Sequence, residues 1–155
     1  MWDIDLPDLE TTLEFGRALG EVALERTIVA LCGDLGAGKT SFSQGVGAGL
    51  SITQPIVSPT FILMAEYEGG RLPLLHADAY RLKEGEAEAI GFEEAIEDWP
   101  GVALIEWADK VLPLLPEEYL QVELVHQPDG RRANVKAVGA RNEALMLRWG
   151  QRFRA

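Results

Sequence analysis

The eight residues Gly33-Asp34-Leu35-Gly36-Ala37-Gly38-Lys39-Thr40 constrain this chain more than any other stretch. They satisfy G-x-x-x-x-G-K-[ST] in full, the pattern of a loop that wraps a phosphate chain. Such a loop needs many donors in a tight concave turn, and only glycine lets the backbone curl that closely. Its flanks fit. Residues 27–32, TIVALC, form a short apolar run that a glycine stops at once, which reads as a buried strand. Residues 40–50 read as a helix, although Gly45, Gly47 and Gly49 weaken its propensity. A strand, a glycine loop and a helix in that order point to an α/β fold.

Read as a phosphate loop, the amides of Gly36, Gly38, Lys39 and Thr40 point inward, at the positive end of a helix that begins near residue 39. Asp34, Leu35, Ala37 and Ser41 complete the cradle. Lys39 reaches the β- and γ-phosphates, and the Thr40 hydroxyl ligates Mg²⁺. The competing reading is a glycine-rich turn with an exposed lysine. Cys32, just before the loop, reads as a buried, inert thiol and not as a nucleophile.

Elsewhere the pattern alternates helices and strands without repeats. Residues 8–25 carry Leu9, Leu13, Leu19, Val22 and Ala23 at mostly helical spacing. Phe61 to Tyr67 and Leu72 to Ala77 are apolar runs separated by Gly69-Gly70, a hairpin. Residues 84–97 are acidic and helix-prone, with Ile90, Phe92 and Ile96 as core contacts; 102–106, VALIE, reads as a second buried strand. Residues 119–126 and 132–138 alternate around Pro128-Asp129-Gly130 as a second hairpin, and a helix from Asn142 to Trp149 follows. Early strand–loop–helix order with later hairpins predicts a mixed sheet.

A phosphate loop alone hydrolyses nothing. Phosphoryl transfer also needs a carboxylate on Mg²⁺ and a group that orients the attacking oxygen. Glu106, closing the second buried strand, is the candidate carboxylate; the alternative is a solvated strand end. Trp107 is either core or a platform for a base or ribose. In Ser58-Pro59-Thr60-Phe61, Thr60 is a candidate sensor of the γ-phosphate, against a plain turn capped by Ser58. His76, Asp78 and Tyr80 share one face of an extended segment, where Asp78 can order a water. Metal chelation by His76 is disfavoured, because the only other histidine is His126. No N-K-x-D occurs to read guanine, and Asp98-Trp99-Pro100-Gly101 precedes a strand instead of following one, so the expected nucleotide is ATP.

Composition narrows the role. Fourteen Lys+Arg against 25 Asp+Glu give a formal net charge of -11 over 155 residues, which disfavours direct nucleic-acid binding, since phosphate contacts need clustered cations. One cysteine excludes an internal disulfide and a multi-cysteine zinc site. The start MWDIDLPDL is acidic, with neither the basic nor the apolar part of a secretory leader, so a cytoplasmic protein is expected. The acidic residues of 84–98 read as a solvated helix face, with docking on a basic partner as the alternative.

The motifs GDLGAGKTSFSQG (33–45), SPTF (58–61), HADAYRL (76–82), GFEE (91–94) and LIEWADK (104–110) stand in order over about half the chain. Together they resemble the TsaE (YjeE) family, small bacterial ATPases of tRNA threonylcarbamoyladenosine biosynthesis. The resemblance implies one P-loop NTPase-like, three-layer α/β domain over 1–155, with a mixed central sheet, flanking helices, and ATP and Mg²⁺ as ligands. It implies Thr40 and Glu106 as Mg²⁺ ligands, Thr60 as the switch threonine, Asp78 as a carboxylate needed for activity, and Trp107 beside the nucleotide. Lys39 joins Asp78 and Thr60 in the implied hydrolytic set, and Leu9, Thr12 and Arg131 fall near the adenine end. It further implies two protein partners, TsaD and TsaB, with hydrolysis resetting their complex and tRNA met only through them. Two other classes stay open on the residues alone: a metabolite kinase, although only Arg131-Arg132 offers paired arginines for a lid, and a binding module in which hydrolysis is incidental.

Overall fold

The strand that leads into the phosphate loop is the middle of the sheet. In the computed structural model, which describes residues 1–33, 38–56, 64–79 and 91–154, the strands are β1 (Trp2–Leu6), β2 (Thr27–Gly33), β3 (Met64–Tyr67), β4 (Leu74–Asp78), β5 (Val102–Glu106), β6 (Leu120–Gln127) and β7 (Gly130–Ala137). They form one sheet in the order β1-β7-β6-β2-β5-β4-β3. The inner four, β6-β2-β5-β4, run parallel, and the outer pairings are antiparallel. The predicted mixed sheet is therefore present. Residues 27–32 of β2 are all buried, as expected of a parallel strand covered on both faces.

Four α-helices are described: α1 (Leu9–Val22), α2 (Lys39–Gly49), α3 (Phe92–Asp98) and α4 (Ala140–Arg154). Alternation along the strands sorts the core. Val29, Leu31, Leu74, Val102 and Leu104 point toward Phe15 and Leu19 of α1, Phe42 and Val46 of α2, and Trp149 of α4. Ile28, Ala30, Leu75, Ala77, Ala103 and Ile105 point the other way, toward Phe92 and Ile96 of α3 and the 3₁₀ turn at Ala108–Lys110. Each valine, leucine or isoleucine among them contributes about 1.5–3 kcal/mol on burial.

α1 and α2 approach so closely that only glycine fits between them. A Cβ on Gly16 would lie 2.2 Å from the Phe42 carbonyl oxygen, and one on Gly45 would lie 2.1 Å from that of Leu13. Two of the three glycines that weaken helix propensity, Gly45 and Gly49, thus permit backbone contact. Asp8 caps α1, accepting from the Thr11 amide at 2.7 Å, and the Arg71 guanidinium closes its far end on the carbonyls of Gly20 and Ala23.

The boundaries depart from the sequence reading in several places. Residues 2–6, read only as an acidic start, form edge strand β1, with Leu6 fully buried. The helix expected over 8–25 ends at Val22, where Ala23 turns extended. Of the helix expected over 84–97, α3 covers Phe92–Asp98, and residues 84–90 lie outside the described part. The last helix is longer, Ala140–Arg154 instead of 142–149, because Trp149 and Phe153 anchor it on Phe15. No described helix is long and apolar enough to cross a membrane.

Candidate functional site

Open α/β sheets bind ligands beyond the carboxyl ends of their parallel strands. Here those ends are Gly33 on β2, Glu106 on β5, Asp78 on β4 and Gln127 on β6. The antiparallel part of the fold brings more chain to the same edge. β7 begins there with Gly130 and Arg131, Leu6 pairs with Arg131, and α1 starts two residues beyond β1.

α2 springs from this edge with Gly38 as its N-cap, at φ 100°, and no side chain among the described residues caps it. The start of a helix is its positive end, where an anion is favoured. Lys39 is buried. Its Nζ donates to the Gly33 carbonyl at 2.5 Å and sits 3.9 Å from the centre of the Trp107 ring. That excludes the exposed-lysine alternative: the ammonium is held against a carbonyl and a π face, and a phosphate is a stronger partner than either. Thr40 is exposed and Ser41 half-buried in the first turn of α2.

Two of the three residues that the resemblance places near the adenine end, Thr12 and Arg131, lie beside Gly38 at the start of α2. A Cβ on Gly38 would lie 3.1 Å from Arg131 Cδ and 3.3 Å from Thr12 Cγ2. Thr12 is fully buried, its hydroxyl donating to the Asp8 carbonyl at 3.0 Å. Leu9 opens α1 and is half exposed. The buried Nε of Arg131 has no hydrogen-bond partner among the described residues. A buried guanidinium N–H aimed beside a phosphate loop is an orphan that an anion would satisfy. The Asp8 carboxyl is held below the ordinary carboxylate range by hydrogen bonds from the Thr11 side chain and amide, with the Arg131 charge adding to them.

On the other side of Lys39, Glu106 is not a solvated strand end. It is 3% exposed, and its Oε2 lies 2.5 Å from Nε2 of His76, itself 1% exposed. Asp78, half-buried, stands directly opposite Glu106 in the β4–β5 register. Sequence reasoning placed His76 beside Asp78 and missed its bond to Glu106. The signal was available in part: strand alternation puts His76 on the Asp78 face, but the β4–β5 pairing belongs to the tertiary fold. Trp107 adopts left-handed φ 57°, ψ 39°, which turns the chain out of β5 and lays the half-buried ring under Lys39. Asp34, Leu35, Gly36, Ala37, Ser58, Thr60, Tyr80 and Arg81 lie outside the described residues.

A family profile described as threonylcarbamoyl adenosine biosynthesis protein TsaE matches residues 6–134. The chain belongs to the TsaE family. Among curated TsaE proteins, that of Nostoc is 47% identical over 135 residues, covering 85% of this chain and 83% of its own length. The Bacillus subtilis TsaE is 41% identical over 137 residues, covering 88% and 85%. The crystal structure of YdiB from Bacillus subtilis superposes with a TM-score of 0.83 at 33% identity, over 97% of this chain and 94% of that one. TsaE membership accounts for the order of the five motifs, and the likeness to YdiB reaches well beyond them.

Proposed function

We propose that the chain is a single P-loop, three-layer ATPase domain that hydrolyses ATP with Mg²⁺ in bacterial tRNA N6-threonylcarbamoyladenosine formation. The observation that carries this is the meeting of Lys39, Arg131 and the uncapped start of α2 on one side of the strand ends with Glu106 and Asp78 on the other. Cations and the positive end of α2 gather where phosphates would lie, and carboxylates where a metal and a water would lie.

In this reading Lys39 leaves the Gly33 carbonyl for the β- and γ-phosphates, and the amides of the 34–41 loop line the chain of phosphates. Leu9, Thr12 and Arg131 hold the adenine end, and Trp107 packs beside the nucleotide. The donor set fits Mg²⁺: a hydroxyl on Thr40 and a carboxylate on Glu106 are hard oxygen ligands. Among the described residues no group of three or more His, Cys, Asp or Glu could hold a metal alone. Mg²⁺ characteristically binds through one or two carboxylates together with substrate phosphates. When bound it neutralises charge on the phosphate oxygens. Asp78 orients the attacking water, and Thr60 responds to the γ-phosphate.

The partners are TsaD and TsaB, whose repeated turnover this hydrolysis supports, and the charge of -11 leaves tRNA to them. The work of the complex is cytoplasmic. The test is ATP hydrolysis by the purified chain, alone and with purified TsaD and TsaB. Strong stimulation by the pair is expected. Transfer of phosphate to a metabolite, or hydrolysis indifferent to the pair, would replace this reading with a kinase or a free-standing ATPase.

A further inference from the structure

We infer that His76 is a positioning residue that fixes the Glu106 carboxylate for the cation. This rests on the reading of Glu106 as a Mg²⁺ ligand and concerns a side chain to which that reading gives no part.

His76 occupies a place in β4 where an aliphatic residue would serve packing better. Leu74, two residues earlier on the same face, and Leu104, its partner in register on β5, are both fully buried. The imidazole is equally buried, yet its Nδ1 has no hydrogen-bond partner among the described residues. A buried polar atom left unmatched is a cost that a leucine at this position would not carry. What the imidazole adds is Nε2, 2.5 Å from Glu106 Oε2.

A carboxylate that serves a cation only accepts, so in this reading Nε2 is the donor of the pair and Nδ1 the atom left over. The terminal torsion of a glutamate is broad, with two equivalent settings. A donor clamped on Oε2 selects one setting and leaves Oε1 as the oxygen presented to a cation. Ligating carboxylates are commonly held in this way by an outer hydrogen bond, and loss of such a partner costs about 10–100-fold in metal affinity.

The experiment uses Mn²⁺ with ADP as the probe, following free Mn²⁺ by electron paramagnetic resonance for the intact chain, His76→Leu and His76→Gln. Metal-free ADP binding is measured in parallel by calorimetry in chelator. The leucine variant is expected to lose about 10–100-fold in Mn²⁺ affinity, while its metal-free ADP affinity holds. The glutamine variant, whose amide N–H reaches near the ring Nε2, is expected to restore most of the metal binding. Leucine-variant affinity equal to that of the intact chain overturns the inference, as does an equal loss of metal-free ADP binding. If the leucine variant does not fold, the glutamine variant decides, and a tenfold loss there is the overturning result. Should the intact chain bind ADP but no Mn²⁺, the assignment of Glu106 as a metal ligand fails and this inference with it. Should it bind no ADP, the nucleotide reading itself fails.

Discussion

Arg131 shows how much of the site hangs on single residues. Its guanidinium lies against Gly38, and its Nε is buried without a described partner. Hydrogen bonds to a charged group are worth about 1.5–3 kcal/mol, so Arg131→Ala is expected to weaken ADP binding about 10–100-fold by titration calorimetry. An unchanged affinity would remove Arg131 from the nucleotide site. Asp78→Asn is expected to bind ATP and the partners normally while slowing hydrolysis about 10²–10⁴-fold. Sustained multiple rounds of tRNA modification by that variant would argue against the role given to Asp78. At Cys32, burial is the main cause that pushes the thiol above its ordinary range, with the Asp109 charge adding to it. The thiolate is the reactive form, so alkylation by iodoacetamide at pH 8 is expected to be slow in the folded chain and fast in urea. The sign for stability follows. Because the folded thiol titrates later than the unfolded one, its contribution is present below the unfolded thiol's pKa and is lost as pH rises through the folded one.

Among the elements, the α1–α2 pair links the two halves of the proposed nucleotide site. α2 starts at the phosphate loop, while α1 carries Thr12 and follows the cap Asp8. Their contact is backbone against backbone at Gly16, Gly20, Gly45 and Gly49. Gly45→Ala gains about 1 kcal/mol of helix propensity, but its methyl would sit 2.1 Å from the Leu13 carbonyl oxygen. Overpacking of this kind costs about 1–3 kcal/mol, so net destabilisation is expected in urea unfolding. Gly47→Ala makes a useful contrast. Its methyl meets the Ile56 side chain at 2.5 Å instead of backbone, so a shift of one side chain, and not of two helices, relieves it. The smaller loss is expected there, and the reverse order would show that the helices part more easily than their packing implies.

Over the whole molecule, stability concentrates where α4 returns to the start of the chain. Trp149 is fully buried, stacks on Phe15 at 4.4 Å between ring centroids, and donates from its indole N–H to the Phe15 carbonyl at 2.9 Å. Trp2 of β1 packs edge-on against the same indole. Trp149→Ala therefore opens a cavity shared by α1, α4 and β1, with an expected loss of about 3–5 kcal/mol in denaturant unfolding. A loss under 1 kcal/mol would mean that α4 is dispensable to the core.

Much of this was written locally in the chain. The buried strands at 27–32 and 102–106, the helix that follows Gly38, and the Gly69-Gly70 hairpin were legible because apolar runs, glycines and turn residues act over a few positions. Thr12 and Arg131 were singled out only by resemblance, since nothing in their immediate sequence marks them, whereas Trp107 stood beside Glu106 as either core or a platform for a base. Other features needed the fold. β1 is polar at Asp3 and Asp5 and becomes a strand because β7 offers it an edge. The His76–Glu106 bond joins residues 30 apart through the parallel pairing of β4 and β5. Arg131 meets Gly38 because β7 starts at the strand-end edge beside α1. The sequence by itself determined the buried strand and the helix that flank the glycine-rich segment 33–40. The tertiary structure decided which distant side chains share the site, because strand order and register act between segments that no local pattern connects.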